Sequence, residues 1–233
     1  MRFGSLSIPL IALSLAACGS EVQEAEAPAA TEATSEAPEE IVVDGPERRI
    51  IAFGDSLFAG YNVAEHEGYP ERLQRALRQE GINATVVDAG VSGDTSSGGL
   101  KRLGFLLDQQ PVKPDLFILE LGGNDMLRGI QPAATRANFE GMLAELQRRD
   151  IPVLLMGMRA PPNYGPEYQQ EFDGLYGELA QKYGAMIVPF WLESIYQSPE
   201  LFQSDRIHPT PQGIDALVAD TVDDVQAALP ATD

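Results

Sequence analysis

A chain of 233 residues is long enough for one α/β domain with a full core and short for two. Its formal net charge of -19 leaves no basic stripe to neutralise phosphates, which excludes nucleic acid as a partner; the acidity reads as solubility. With one cysteine an internal disulfide is excluded, and two separated histidines without a His-Glu-x-x-His pattern exclude the common metal centres. Neither a dinucleotide-binding nor a P-loop glycine pattern is present, so no cofactor is expected.

The first residues read as a targeting segment. Arg2 supplies a positive start, and residues 8–17 are apolar but too few for a stable membrane span. The run ends Leu15-Ala16-Ala17-Cys18-Gly19-Ser20. This is similar to a bacterial lipoprotein signal, in which Cys18 is lipidated and becomes the mature N-terminus; a plain secretory peptide is the alternative. Gly19 after the cysteine resembles lipoproteins sent to the outer membrane. The resemblance implies a bacterial envelope protein on the periplasmic side, held to a membrane by its lipid. Residues 19–46 are rich in Glu, Ala, Pro, Ser and Thr and lack aromatic residues. Such a stretch buries too little apolar surface to offset its ordering entropy, and it is expected to be a disordered acidic tether ahead of a domain at 47–233.

From there strands and helices alternate, which predicts a parallel sheet covered on both faces. Strand one is expected at 49–53, where four apolar residues stop at Gly54-Asp55-Ser56; Asp and Ser there suit the start of a helix. Phe58 is expected to make the approach to this turn apolar. A helix is expected at 69–80, strand two at 85–88, a helix at 97–109 and strand three at 115–121. Next come a helix at 133–149, strand four at 152–158, a helix at 167–183, strand five at 185–189 and a last helix at 211–229. Five strands with helices between them give a three-layer α/β/α, flavodoxin-like domain, whose site falls at the carboxyl ends of the strands.

The chemistry-bearing residues follow those strands. A serine at the Gly54–Ser56 turn is held at the sheet's carboxyl edge with its hydroxyl and its N–H facing outward. Only His66 and His208 can supply a histidine base. His208 has Asp205 three residues earlier, a spacing that can place a carboxylate against one ring nitrogen and leave the other for a serine hydroxyl. His66, flanked by Glu65 and Glu67, reads as a surface histidine. Asn124 is either a helix cap or Asx turn, or an amide aimed at a developing oxyanion. Gly93 is either a turn residue or an N–H that substrate can approach closely. Asp55 and Asp94 are assigned to turn and loop hydrogen bonding. Arg128 is either a substrate contact or a solvated loop charge.

Taken in order, Gly54-Asp55-Ser56-Leu57, Val91-Ser92-Gly93-Asp94-Thr95, Leu121-Gly122-Gly123-Asn124-Asp125 and Asp205-x-x-His208-Pro209 resemble the SGNH (GDSL) hydrolase family. Residues 119–132, 161–168 and 188–193 narrow the likeness to its thioesterase I, arylesterase and lysophospholipase branch. The resemblance implies Ser56 as nucleophile, His208 as general base and Asp205 as its partner. It implies an oxyanion hole made by the Ser56 and Gly93 N–H groups and the Asn124 side chain. A loop closing over acyl chains would make Met126, Leu127, Ile130, Asn163 and Tyr164 substrate walls; ordinary loop packing is the alternative. The implied activity is hydrolysis of acyl esters or thioesters (aryl esters, acyl thioesters, lysophospholipids) through an acyl-serine, by a monomer with small-molecule or lipid substrates. Alternatives are an acetyl esterase or acyltransferase on envelope glycans, a non-catalytic envelope binding lipoprotein, and a phosphate-receiver domain. The last is disfavoured by the lack of a lysine after strand five.

Overall fold

The computed structural model describes residues 39–231. Cys18 and the tether up to residue 38 lie outside them. Five strands form one parallel sheet in the order β2-β1-β3-β4-β5: β1 (Arg48–Gly54), β2 (Ala84–Gly90), β3 (Leu116–Glu120), β4 (Val153–Met156) and β5 (Met186–Val188). Helices α1 (Tyr69–Gln79), α2 (Ser96–Asp108), α3 (Gly123–Leu127), α4 (Pro132–Arg148), α5 (Pro166–Tyr183) and α6 (Pro211–Ala228) connect and cover it. α1 packs with α6 on one face, and α4 packs with α2 and α5 on the other. This is the three-layer α/β/α architecture expected from the alternation of patterns.

β1 lies between β2 and β3, and Ile50, Ile51, Ala52 and Phe53 are all fully buried, as a strand covered on both faces requires. Burying a side chain such as Phe53 contributes roughly 1.5–3 kcal/mol. Helix boundaries follow local chemistry. Leu73 and Leu77 of α1 face the core, and Gly81, at φ +81°, turns the chain away after it. Thr95 and Thr210 cap α2 and α6, their side-chain oxygens accepting from the Gly98 and Gly213 N–H groups.

After β1 the chain runs outward to β2 and then crosses back to β3. Strand order therefore reverses between β1 and β3, and the crevice at their carboxyl ends is where this sheet can hold a ligand. The amino edge of the sheet is where the start of β1 and the segment after α6 meet. The Arg48 guanidinium donates to the Pro230 carbonyl at 2.7 Å. Ahead of β1, Arg78 donates to Glu40 at 3.0 Å and to the Ile41 carbonyl at 3.1 Å, so the domain holds the chain from Glu40 onward.

Three local features differ from the sequence reading. The residues after Ser56 form successive turns, not a helix, with the Ala59 N–H on the Asp55 carbonyl and the Tyr61 N–H on the Ser56 carbonyl. Phe58 does not line an entrance: it is fully buried, stacked on Tyr69 at 5.0 Å and edge-on to Trp191 at 5.5 Å. A short helix, α3, intervenes after β3. Gly122, at φ +104°, lets the chain leave β3 straight into it, and five residues are too few to show a helical period.

Candidate active site

The Ser56 turn is held by close packing beneath it. At Gly54 a Cβ would sit 2.7 Å from a Glu120 oxygen and 2.8 Å from the Phe58 ring. At Gly90, on the neighbouring strand, a Cβ would collide with the Ala59 backbone nitrogen. Arg102 of α2 ties the adjoining loops together. Its guanidinium donates to the Gly54 carbonyl at 2.9 Å, the Ala89 carbonyl at 2.9 Å and the Asp94 carboxylate at 2.7 Å, and it lies over the Phe53 ring. Asp94 thus has the loop-bonding role expected of it.

Across the crevice, the loop before α6 brings His208 to the serine. Its Nε2 is 2.8 Å from Ser56 Oγ, and its Nδ1 is 2.7 Å from Asp205 Oδ2. A carboxylate can only accept, so the Asp205 contact assigns the ring proton to Nδ1 and leaves the Nε2 lone pair for the serine hydroxyl. The other Asp205 oxygen accepts the Ile207 N–H at 2.9 Å and the His208 N–H at 3.1 Å. Burial pushes this carboxyl up, but its bonds from His208 and Ile207 outweigh that and hold it at about 2. Arg206, between the two residues, takes a left-handed φ of 60°, which turns the loop tightly enough for the contact. The Tyr61 ring stacks on the imidazole with centroids 4.2 Å apart. Gln203 joins the two sides, donating from its side chain to the Tyr61 and Pro209 carbonyls at 2.8 and 3.0 Å.

The loops after β2 and β3 complete the crevice. Gly93 has φ +79°, and its carbonyl is turned back to accept from Arg128 at 2.7 Å. Asn124 Nδ2 donates to Asp55 Oδ2 at 2.9 Å, while the other Asp55 oxygen accepts the Leu57 N–H at 3.0 Å. The Asp55 N–H in turn donates to Glu120 Oε2 at 3.2 Å. Asp55 therefore bonds its own turn, as expected, and also the asparagine of another loop. Burial raises both carboxyls. Glu120, fully buried, stands well above the ordinary range with the Asp55 charge adding to the effect; bonds from Leu57 and Asn124 draw Asp55 back. Asp125, also fully buried, anchors α3 by accepting from the Ser96 N–H at 2.8 Å, the Ser96 hydroxyl and the Thr135 hydroxyl at 3.1 Å.

Ser56, Gly93, Asn124, Met126, Leu127 and His208 all border one cleft of about 740 Å³, with Asp205 behind the imidazole. Met158, Phe190, Leu192 and Tyr196 supply much of its apolar wall. The structure does not bring Arg128, Ile130, Asn163 or Tyr164 to that wall. Tyr164 packs on Tyr168 at 5.1 Å, whose hydroxyl donates to the Ile130 carbonyl at 3.0 Å. His66 lies outside the cleft, its carbonyl accepting from Arg75. Among the described residues no group of three His, Cys, Asp or Glu side chains is placed to hold a metal ion. The sequence reading missed Tyr61, Arg102, Glu120 and the apolar wall residues, whose partners are far along the chain.

An aligned serine, imidazole and carboxylate beside an apolar cleft are the parts of a hydrolase that works through an acylated serine. Residues 52–216 match the GDSL-like Lipase/Acylhydrolase family, and the chain belongs to it: it is a serine esterase of the SGNH type. An esterase of Pseudomonas aeruginosa, TesA, is 41% identical over 160 residues, covering 69% of this chain and 79% of that protein. A thioesterase/protease/lysophospholipase of Escherichia coli is 38% identical over 160 residues, covering 69% and 74%. The crystal structure of AlinE4, an SGNH-hydrolase family esterase, is 58% identical with a TM-score of 0.69, covering 81% of this chain and all of that one. The family takes small-molecule acyl esters.

Proposed function

We propose that Ser56 is the nucleophile, His208 the general base and Asp205 its orienting partner, in hydrolysis of acyl esters and thioesters that include aryl esters and lysophospholipids. The 2.8 Å approach of His208 Nε2 to Ser56 Oγ, with Asp205 on the opposite ring nitrogen, carries this reading. As Ser56 Oγ attacks the acyl carbonyl, its proton passes to His208 Nε2 and the carbonyl π pair moves onto oxygen. The Ser56 and Gly93 N–H groups and the second N–H of Asn124 are the donors for that oxyanion. Its collapse expels the alcohol or thiol, which takes the proton from His208. Water, giving a proton to the same nitrogen, then attacks the acyl-Ser56; the serine leaves with that proton and the acid is released.

The apolar wall at Met126, Leu127, Met158 and Phe190 suits an acyl chain more than a glycan. The protein is carried in the bacterial envelope by a lipid on Cys18; the support is the motif ending at that cysteine. Metabolic labelling with a fatty-acid probe in wild type and Cys18→Ala tests the anchor. Ser56→Ala tests the chemistry. It is expected to remove p-nitrophenyl ester hydrolysis by about 10⁴-fold or more, with its melting temperature unchanged. Undiminished turnover by the folded variant would end the assignment.

A further inference from the structure

Two buried acids next to the site take no part in the acyl-transfer steps. Glu120 ends β3 fully buried; its Oε2 accepts the Asp55 N–H, and its Oε1 has no hydrogen-bond partner. Asp55 is 2% exposed and accepts from Leu57 on one oxygen and from Asn124 on the other. No cation faces either carboxyl in a salt bridge among the described residues. Adjoining acids buried without a cation are costly to folding.

From this geometry we infer that Glu120, acting through Asp55, fixes the Asn124 side-chain amide with its nitrogen in place and its second N–H free for the cleft, making both acids positioning residues for acyl transfer. The inference rests on the assignment of Asn124 as an oxyanion donor. An asparagine amide can rotate or exchange its oxygen and nitrogen, and only the nitrogen can donate. A carboxylate oxygen at 2.9 Å accepts from Nδ2 and would repel Oδ1, so Asp55 selects one of the two orientations. That service has an electrostatic drawback, because a full negative charge behind the amide opposes the charge developing on the substrate oxygen. Glu120 does not double it: burial and the nearby Asp55 charge hold its carboxyl well above the ordinary range, in favour of its neutral form. The pair then carries one negative charge, on the oxygen atoms that need to accept. The lack of room for a Cβ at Gly54, 2.7 Å from Glu120 Oε2, keeps the two acids together under the end of β1.

The test is a double-mutant cycle in the full chain, with p-nitrophenyl butyrate as the probe. Asp55→Asn has one acceptor in place of two, so it cannot serve Leu57 and Asn124 together. It is expected to lower kcat by about ten- to a hundredfold with KM within about twofold. In an Asn124→Ala background the same change should cost less than about twofold more. Multiplying losses, or a folded Asp55→Asn with the kcat of wild type, would overturn the inference. Should Asn124→Ala alone retain full kcat, the oxyanion assignment fails, a result distinct from independent losses at the two positions. Glu120 gives a second route if Asp55→Asn does not fold. Glu120→Ala is expected to lower kcat by about tenfold, and Glu120→Gln, which keeps an acceptor for the Asp55 N–H without adding a charge, to recover most of that loss. Equal activity of Glu120→Ala and wild type, or no recovery in Glu120→Gln, would count against it.

Discussion

The two sides of the Ser56–His208 contact are built in opposite ways. The serine turn stands on buried structure: Asp55, Leu57 and Phe58 are in the core, and the neighbouring strands and Arg102 clamp its flanks. The histidine loop is a surface loop, with Asp205, Arg206 and Ile207 exposed, and its bonds reach mainly to residues of the same loop. Packing of distant strands therefore places the nucleophile, whereas short-range hydrogen bonds place the base. Tyr61 and Gln203 are the links by which one side registers the other.

The comparison is broken most severely from the serine side. Gly90→Val forces a side chain into the Ala59 backbone, which cannot yield as a flexible side chain would. Its expected result is a loss of kcat of about a hundredfold or more together with about 1–3 kcal/mol of stability. Ester hydrolysis and a denaturant melt measure the two; a normal kcat would show that the turn is not seated on that strand. A smaller effect is expected at the link. Tyr61→Ala should lower kcat by about tenfold with no change in melting temperature, because the residue is 43% exposed. Tyr61→Phe, which keeps the stack, should retain most of the activity. If Ala and Phe behave alike, the loop holds the imidazole unaided.

The smallest effect concerns stability alone. Glu71 of α1 borders a small cavity with Ala59 and Gly60, at the far end of the serine turn. Burial first, with the charges of Asp88 and Glu65 adding to it, raises its carboxyl to about 7. The unfolded chain ionises it near the ordinary value of about 4.3. Between these values the folded state binds the extra proton, so stability falls as pH rises through that window. Glu71→Gln should flatten this decline and melt higher than wild type above about pH 7, with kcat unaltered. A pH series of melts checks it: parallel curves for the two proteins would remove Glu71 from the account.

Much of this was legible in the chain because the informative residues are short-range or few. Fully buried strands such as β1 show as apolar runs, and with only two histidines the Asp205–His208 pair had little competition. Glu120 was not legible: an acid at the last position of an apolar strand looks like its solvated end, yet the loops of β1 and β3 close over it. Phe58 failed for a similar reason, since its partners Tyr69 and Trp191 come from separate parts of the chain. The cleft wall was seen in part. Met126 and Leu127 lie within three residues of Asn124 in the chain, but Met158 and Phe190 converge on them only through the order of the sheet.

The Arg48–Pro230 bond has a consequence for how this domain can be handled. The start of β1 and the end of α6 lie side by side at the edge of the sheet opposite the cleft. A fusion partner or solid support joined at either end would thus leave the mouth of the cleft turned toward solution. The same neighbourhood makes the domain suited to circular permutation, with Pro230 spliced ahead of Arg48 and new ends opened in a surface loop. Such a rewired chain should still cleave p-nitrophenyl butyrate, and an inactive but folded permutant would show that the loop it opens must be continuous.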